Sequence, residues 1–144
     1  MRFSIDKKQE NKLDLVCLSD KLMGTEASVI PGFGVILHSF SIRVNGRMIN
    51  VIDNYSGYDQ LQAELAKSFK GSKLSPFPCR IPDGKYRFQE REFEFRTKFM
   101  DGSAIHGLLY NKPFELINAN ADDLGASIVL QYDDFRLFVV CFPQ

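Results

Sequence analysis

Val35-Ile36-Leu37-His38-Ser39-Phe40-Ser41-Ile42-Arg43-Val44-Asn45-Gly46-Arg47-Met48-Ile49-Asn50-Val51-Ile52 decides the architecture of this chain. From Val35 to Val44 apolar residues alternate with others, the period of a strand with one buried face. Asn45-Gly46 then separates two such runs. Both residues tolerate positive φ, which a type I′ turn demands, so Ile42–Val44 and Met48–Ile52 read as a β-hairpin. The same pattern extends outward. Leu13–Ser19 and Ala27–Ile30 are compact apolar runs, the second ended by Pro31-Gly32-Phe33-Gly34. Asp83-Gly84 and Asp101-Gly102 bracket Tyr86–Phe99, which should hold a second hairpin bent near Gln89–Arg91, with Phe88, Phe93, Phe95 and Phe99 on one apolar face. Phe114–Ile117, Ala126–Tyr132 and Phe135–Phe142 give three further strand candidates. One helix stands out. Leu61, Leu65 and Phe69 recur every four residues, Ser56-Gly57-Tyr58-Asp59 resembles a capping box with Asp at its end, and Gly71 is a plausible stop. Many short strands and one short helix point to a mainly β fold, an antiparallel sandwich or barrel.

Composition bounds the rest. The 144 residues suffice for a single domain, 1–144, with a core that needs neither metal nor disulfide. Eighteen Lys plus Arg balance eighteen Asp plus Glu, which argues against a generic nucleic-acid binder. No apolar run is long enough for a membrane helix, and the N-terminus turns charged too soon for a signal peptide. Cys17, Cys79 and Cys141 lie far apart with no CxxC pair, which reads as free thiols in a reducing, cytoplasmic compartment. Together with His38 and His106 they have no zinc-like spacing, so no metal is expected.

Residues able to carry chemistry are few. His38 sits inside a strand and reads as a strand histidine. His106 follows an Asp-Gly turn and precedes Gly107, a residue that lets a ligand or another backbone approach closely. Pro76, Pro78 and Pro82 make Ser75–Pro82 the stiffest segment of the chain, holding Arg80 in place. A positioned guanidinium offers a fork of donors to hydroxyls or carboxylates, although a surface ion pair would use it equally well. Gly32-Phe33-Gly34 is not a phosphate loop, because no helix follows it. Cys79 beside Arg80 reads as a buried, inert thiol rather than a nucleophile. Asp53, Asp59, Asp101 and Asp133-Asp134 read as turn residues.

Four segments taken in order resemble one family. They are Pro31–Phe40, Asn50-Val51-Ile52-Asp53, Lys73–Tyr86 with its Pro78-Cys79-Arg80-Ile81-Pro82-Asp83-Gly84-Lys85-Tyr86, and Ala104-Ile105-His106-Gly107-Leu108-Leu109-Tyr110. This order is similar to the aldose 1-epimerase (galactose mutarotase) family, in its divergent mutarotase-like branch, over roughly Val29 to Tyr132. The resemblance implies an antiparallel β-supersandwich around a sugar cleft and a reaction without cofactor. In that reaction the α and β anomers of free galactose- or glucose-type hexoses interconvert. A glutamate acts as base on the anomeric hydroxyl and a histidine protonates the ring oxygen; the ring opens, the aldehyde rotates and the ring closes again. Carried over, Arg80 matches the arginine that hydrogen-bonds the sugar, and His106 matches the first histidine of the motif, a substrate-binding and catalytic position.

The departures are equally specific. Cys79 and Ser103 stand where many members carry Asn, which suggests an altered sugar specificity. The family's acid histidine, its substrate-binding aspartate and its base glutamate lie downstream of the matching segment, and no histidine follows His106. The resemblance therefore covers the N-terminal half of a mutarotase. Half of such a sandwich leaves strand edges open, so a homodimer through those edges is expected. Two rival readings stand beside the enzyme: a carbohydrate-binding module without catalysis, and a β-sheet interaction domain.

Overall fold

The computed structural model describes residues 1–133 and 135–141, the last stretch as backbone. In chain order the strands are β1 (Phe3–Glu10), β2 (Leu13–Asp20), β3 (Thr25–Ile30), β4 (Ile36–Val44), β5 (Arg47–Asn50), β6 (Arg80–Ile81), β7 (Lys85–Phe88), β8 (Arg91–Glu94), β9 (Ala104–Ile105), β10 (Glu115–Ala121), β11 (Ala126–Tyr132) and β12 (Phe135–Cys141); the helix α1 (Tyr58–Ser68) lies between β5 and β6. The chain divides into two compact units, Met1–Lys73 with Asn111–Gln144, and Leu74–Tyr110. The architecture is the mainly β, antiparallel sandwich with one helix that the sequence pattern predicts.

In the first unit, β1-β2-β3-β4-β5 form an antiparallel meander and β10-β11-β12 a second antiparallel sheet. The strand pattern dictates what is buried. Leu15, Val16, Cys17 and Leu18 on β2 are all buried, so both faces of this strand are covered, while β11 alternates, burying Ala126, Ile128 and Leu130. Each fully buried Leu or Ile contributes roughly 1.5–3 kcal/mol of apolar burial. A backbone bond from Phe3 N–H to Asp122 C=O (3.2 Å) ties the start of β1 to the turn after β10. The β4–β5 hairpin turns at Asn45 (φ 50°) and Gly46 (φ 77°), as the Asn-Gly dipeptide requires, and β5 ends at Asn50 rather than Ile52. The first hairpin uses the same physics without a glycine: Asn11 (φ 46°) and Lys12 (φ 65°) join β1 to β2.

The helix forms where its stripe predicts, burying Leu61 and Leu65, but its ends differ from expectation. Gly57 is the N-cap and no side chain caps it, so the capping box is absent. Gln60 instead reaches back, its Oε1 accepting from Ser56 N–H at 2.7 Å. At the other end Phe69 rather than Gly71 is the C-cap, turning left-handed (φ 49°) with its N–H bonding to Leu65 C=O. Tyr55, 1% exposed, anchors the helix: its hydroxyl accepts from Lys70 N–H (3.0 Å) and pairs with Ser68 Oγ (3.1 Å). His38 is buried on β4, and its Nδ1 is among the buried atoms without a hydrogen-bond partner. Burial pushes its pKa down, opposed by the charge of Glu10.

In the second unit, β6 pairs with β9 and β7 with β8. The β7–β8 hairpin turns at Gln89-Glu90, within the expected bend. Its aromatic face corrects the sequence reading. Tyr86 stacks on Phe93 (5.1 Å between centroids) and Phe95 (5.5 Å), whereas Phe99 leaves the hairpin and meets Tyr110. That face is exposed rather than core, Phe88 by 60%. Cys17 is a buried free thiol, but Cys79 is a free thiol that is exposed rather than buried, because it lies on the outer rung of the short β6–β9 ladder; the side chains of Phe135–Cys141, and Asp134 and Phe142 entirely, lie outside the described residues. Among the described residues no helix is long and apolar enough to cross a membrane.

Candidate functional site

Ser75–Arg80 and Ser103–Leu109 run side by side within the second unit, and local chemistry fixes how they meet. Gly107 has φ +79°, and a Cβ there would collide with the carbonyl of Ser75 and the nitrogen of Pro76. The glycine thus lets another backbone approach, one of the two uses the sequence leaves open. The Ser75 carbonyl accepts from Leu108 N–H (2.8 Å) and Leu109 N–H (3.3 Å), and Leu109, 1% exposed, pins the loop. Ser75–Pro76 is a cis peptide bond. Phe77 packs on Phe95 at 5.1 Å between centroids.

One step along, Arg80 pairs with Ile105 and Ile81 with Ala104. The next rung outward joins Cys79 to His106, and here the ladder changes character. Both residues turn left-handed, Cys79 at φ 62° and His106 at φ 58°. His106 N–H donates to the Cys79 carbonyl (2.9 Å), and Cys79 N–H donates to Nδ1 of the His106 ring (3.0 Å). A ring nitrogen that accepts an N–H bond carries no proton, so the neutral imidazole holds its proton on Nε2. The strained rung therefore fixes both the ring orientation and the tautomer of His106. Such non-glycine left-handed residues cost about 1–3 kcal/mol each and concentrate at binding sites.

Arg80, 65% exposed at its side chain, is held by Asp101 through an Nε–Oδ2 contact of 3.2 Å. The second carboxylate oxygen of Asp101 accepts from Ser103 N–H at 3.0 Å, and Phe99 N–H bonds to the Ser103 carbonyl at 2.9 Å. Asp101 is thus both the turn residue that its Asp-Gly sequence signals and the anchor of the guanidinium; only the first role is legible before folding. Ser103 is buried at 7% exposure, consistent with a supporting position. The geometry brings Arg80 and His106 to adjoining rungs of one two-stranded ladder. It can present a fork of guanidinium donors beside a single imidazole N–H donor, a set suited to hydroxyl and ether oxygens. Among the described residues no cluster of three His, Cys, Asp or Glu side chains could hold a metal ion.

No family model matches this sequence, and no curated protein matches it. Solved structures do. A galactose mutarotase-like protein from Clostridium acetobutylicum superposes with a TM-score of 0.67 at 17% identity, over 90% of this chain and 38% of that one. Galactose 1-epimerase from Lactobacillus acidophilus NCFM gives a TM-score of 0.63 at 16% identity, again over 90% and 38%. The chain thus spans 38% of the length of either neighbour. At such identities the likeness is one of fold: across 90% of its length this chain has the fold of galactose mutarotase-like proteins.

Proposed function

We propose that Arg80 and His106 form the sugar-binding corner of a hexose site, and that the chain serves the interconversion of α and β anomers of free galactose- or glucose-type hexoses. The observation that carries the reading is the Cys79–His106 rung, which fixes the direction of the His106 ring and places its proton, the donor, on Nε2. In an aldose 1-epimerase reaction that donor faces the ring oxygen, where negative charge develops as the C1–O bond breaks. Arg80, its Nε held by Asp101, offers its terminal N–H groups to sugar hydroxyls. A base removes the proton of the anomeric hydroxyl, an acid protonates the ring oxygen, and the open aldehyde rotates before closure. The reading gives His106 and Arg80 the binding and charge-stabilising parts and assigns the base to no residue of this chain. It needs no cofactor and no metal. A cytoplasmic setting belongs to the same proposal.

Anomer exchange tests it. Purified chain is added to freshly dissolved α-galactose or α-glucose and the anomeric protons are followed by NMR against buffer alone. Acceleration that disappears in His106→Ala supports the enzyme. Absence of acceleration, with sugar-dependent shifts at Arg80 and His106, favours the second reading, a carbohydrate-binding module without catalysis.

A further inference from the structure

The meander of the first unit ends at β5, and the exposed edge of this strand carries what a second copy of the same chain needs. All four residues Arg47–Asn50 are exposed, Met48 by 49% and Ile49 by 45%, and Val51 beside them by 52%. The hydrogen-bond phase of the edge follows from one contact. Val51 N–H donates to the Phe40 carbonyl at 2.9 Å, so Val51–Phe40 is a hydrogen-bonded rung. Such rungs recur every second residue, which turns Ile49 and Arg47 toward β4 and points the N–H and C=O groups of Met48 and Asn50 away from it. Among the described residues these outward groups form an unfilled row at the end of the sheet.

We propose that β5 is a homodimer interface, in which two copies pair antiparallel about a two-fold axis passing through Ile49. Symmetry restricts the choice. A two-fold normal to a sheet pairs a residue with itself or with one an even number away. Centred on Ile49, the pairing sets Met48 against Asn50 of the second copy and Asn50 against its Met48, each rung exchanging a pair of N–H···O=C bonds. These are the outward groups. Ile49 then meets its own symmetry mate on the close, non-hydrogen-bonded rung, at about 4.5 Å between Cα atoms, and Arg47 lies opposite an apolar Val51. No like charges face each other.

The exposed hairpin of the second unit behaves differently. On β8 a two-fold pairing sets Glu92 against either Glu94 or itself, and on β7 it sets Arg87 against either Lys85 or itself. Like charges directly opposite are destabilising, so these edges resist self-pairing where β5 accepts it. The proposal is independent of any sugar chemistry.

Sedimentation equilibrium at about 0.1 mM chain, a concentration sensitive to micromolar self-association, tests it with two charge variants. Wild type is expected at twice the 16.4 kDa chain mass. Ile49→Lys and Ile49→Glu, at an exposed position that leaves the core intact, are each expected at the single mass. Their equimolar mixture is expected to return to the doubled mass, because the axis brings the lysine of one onto the glutamate of the other. Amide exchange supplies a second readout: Met48 and Asn50 amides slow in the dimer and speed up in either variant alone, while those of Ile49 and Val51 stay protected throughout. A wild type of single mass, variants that keep the doubled mass, or a mixture that stays at the single mass would each overturn the proposal.

Discussion

Gly107→Ala is the substitution for which this fold makes its sharpest demand. Two costs add. An L side chain at φ +79° enters the left-handed region, at about 1–2 kcal/mol, offset by roughly 0.4–1 kcal/mol from a stiffer unfolded chain. The new methyl also strikes the Ser75 carbonyl and the Pro76 nitrogen, which are backbone and cannot swing aside. Relief requires the two segments to part, giving up the bond from Leu108 N–H to Ser75 C=O (2.8 Å) at about 1–3 kcal/mol. The total is about 1–5 kcal/mol. Gly102→Ala is the control: its φ is +80°, yet nothing lies within 4 Å of the added carbon, so only the first cost applies. Urea unfolding of both variants measures the difference. The reasoning predicts that Gly107→Ala loses about 1–3 kcal/mol more than Gly102→Ala, the share assigned to the collision and the lost bond. It also predicts that the Cys79 and His106 amide resonances move in the first variant alone. Equal losses would refute the close approach as the reason for the glycine.

Other expectations follow from particular residues. Burial lowers the pKa of His38, so the folded state resists its protonation; the stability it allows is full above the unfolded value of about 6.5 and declines as pH falls toward the lower folded value. His38→Phe, which also removes the unpartnered Nδ1, should flatten the dependence of the urea midpoint on pH between about 5 and 7, and an unchanged slope would contradict the assignment. Asp20 is held down to about 2, chiefly by its side-chain bonds from Arg2 at 2.7 and 2.9 Å. Its contribution is present above pH ~4 and lost as pH falls toward 2, so Arg2→Ala should narrow the difference between the midpoints at pH 5 and pH 2.5. Asp101→Asn keeps an oxygen for Ser103 N–H and removes the negative charge that faces Arg80. Because that ion pair is exposed it should cost under about 1 kcal/mol of stability, while hexose affinity in an NMR titration falls several-fold; unchanged affinity would remove Asp101 from the site.

Much of this fold is legible in the sequence because its turns are chemically explicit. Asn45-Gly46 announces two consecutive positive-φ residues, and the structure places both there. Asn11-Lys12 performs the same turn with a lysine at φ 65°, and β1 carries Lys7, Lys8, Gln9 and Glu10 on an exposed edge, so neither composition nor turn chemistry marks that strand. Its place is set by β2, whose buried run dictates the register. The stripe Leu61–Leu65 foretells α1, but its ends depend on contacts remote in sequence: Asn11 Nδ2 donates to the Ser56 carbonyl (2.9 Å), and Tyr58 N–H to that of Asn11 (3.1 Å). In the site, the stiff proline segment and the His-Gly pair are visible beforehand. Neither the left-handed Cys79 nor the grip of Asp101 on Arg80 is, because both arise only when two segments remote in sequence are laid side by side.

The central claim is that Arg80 and a His106 of fixed tautomer together receive a hexose. Side-chain 15N NMR of the full chain tests it most directly, read at His106 Nδ1 and Nε2 and at Arg80 Nε while galactose is added to about 50 mM, above the millimolar affinity of a weak sugar site. The account predicts a ring whose Nδ1 accepts a hydrogen bond and whose proton lies on Nε2 before sugar is added. It also predicts saturable shifts at both Nε2 of His106 and Nε of Arg80, with the His106 shift lost in Arg80→Ala. An Nδ1-protonated ring, or sugar-dependent shifts that leave both residues unmoved, would contradict it.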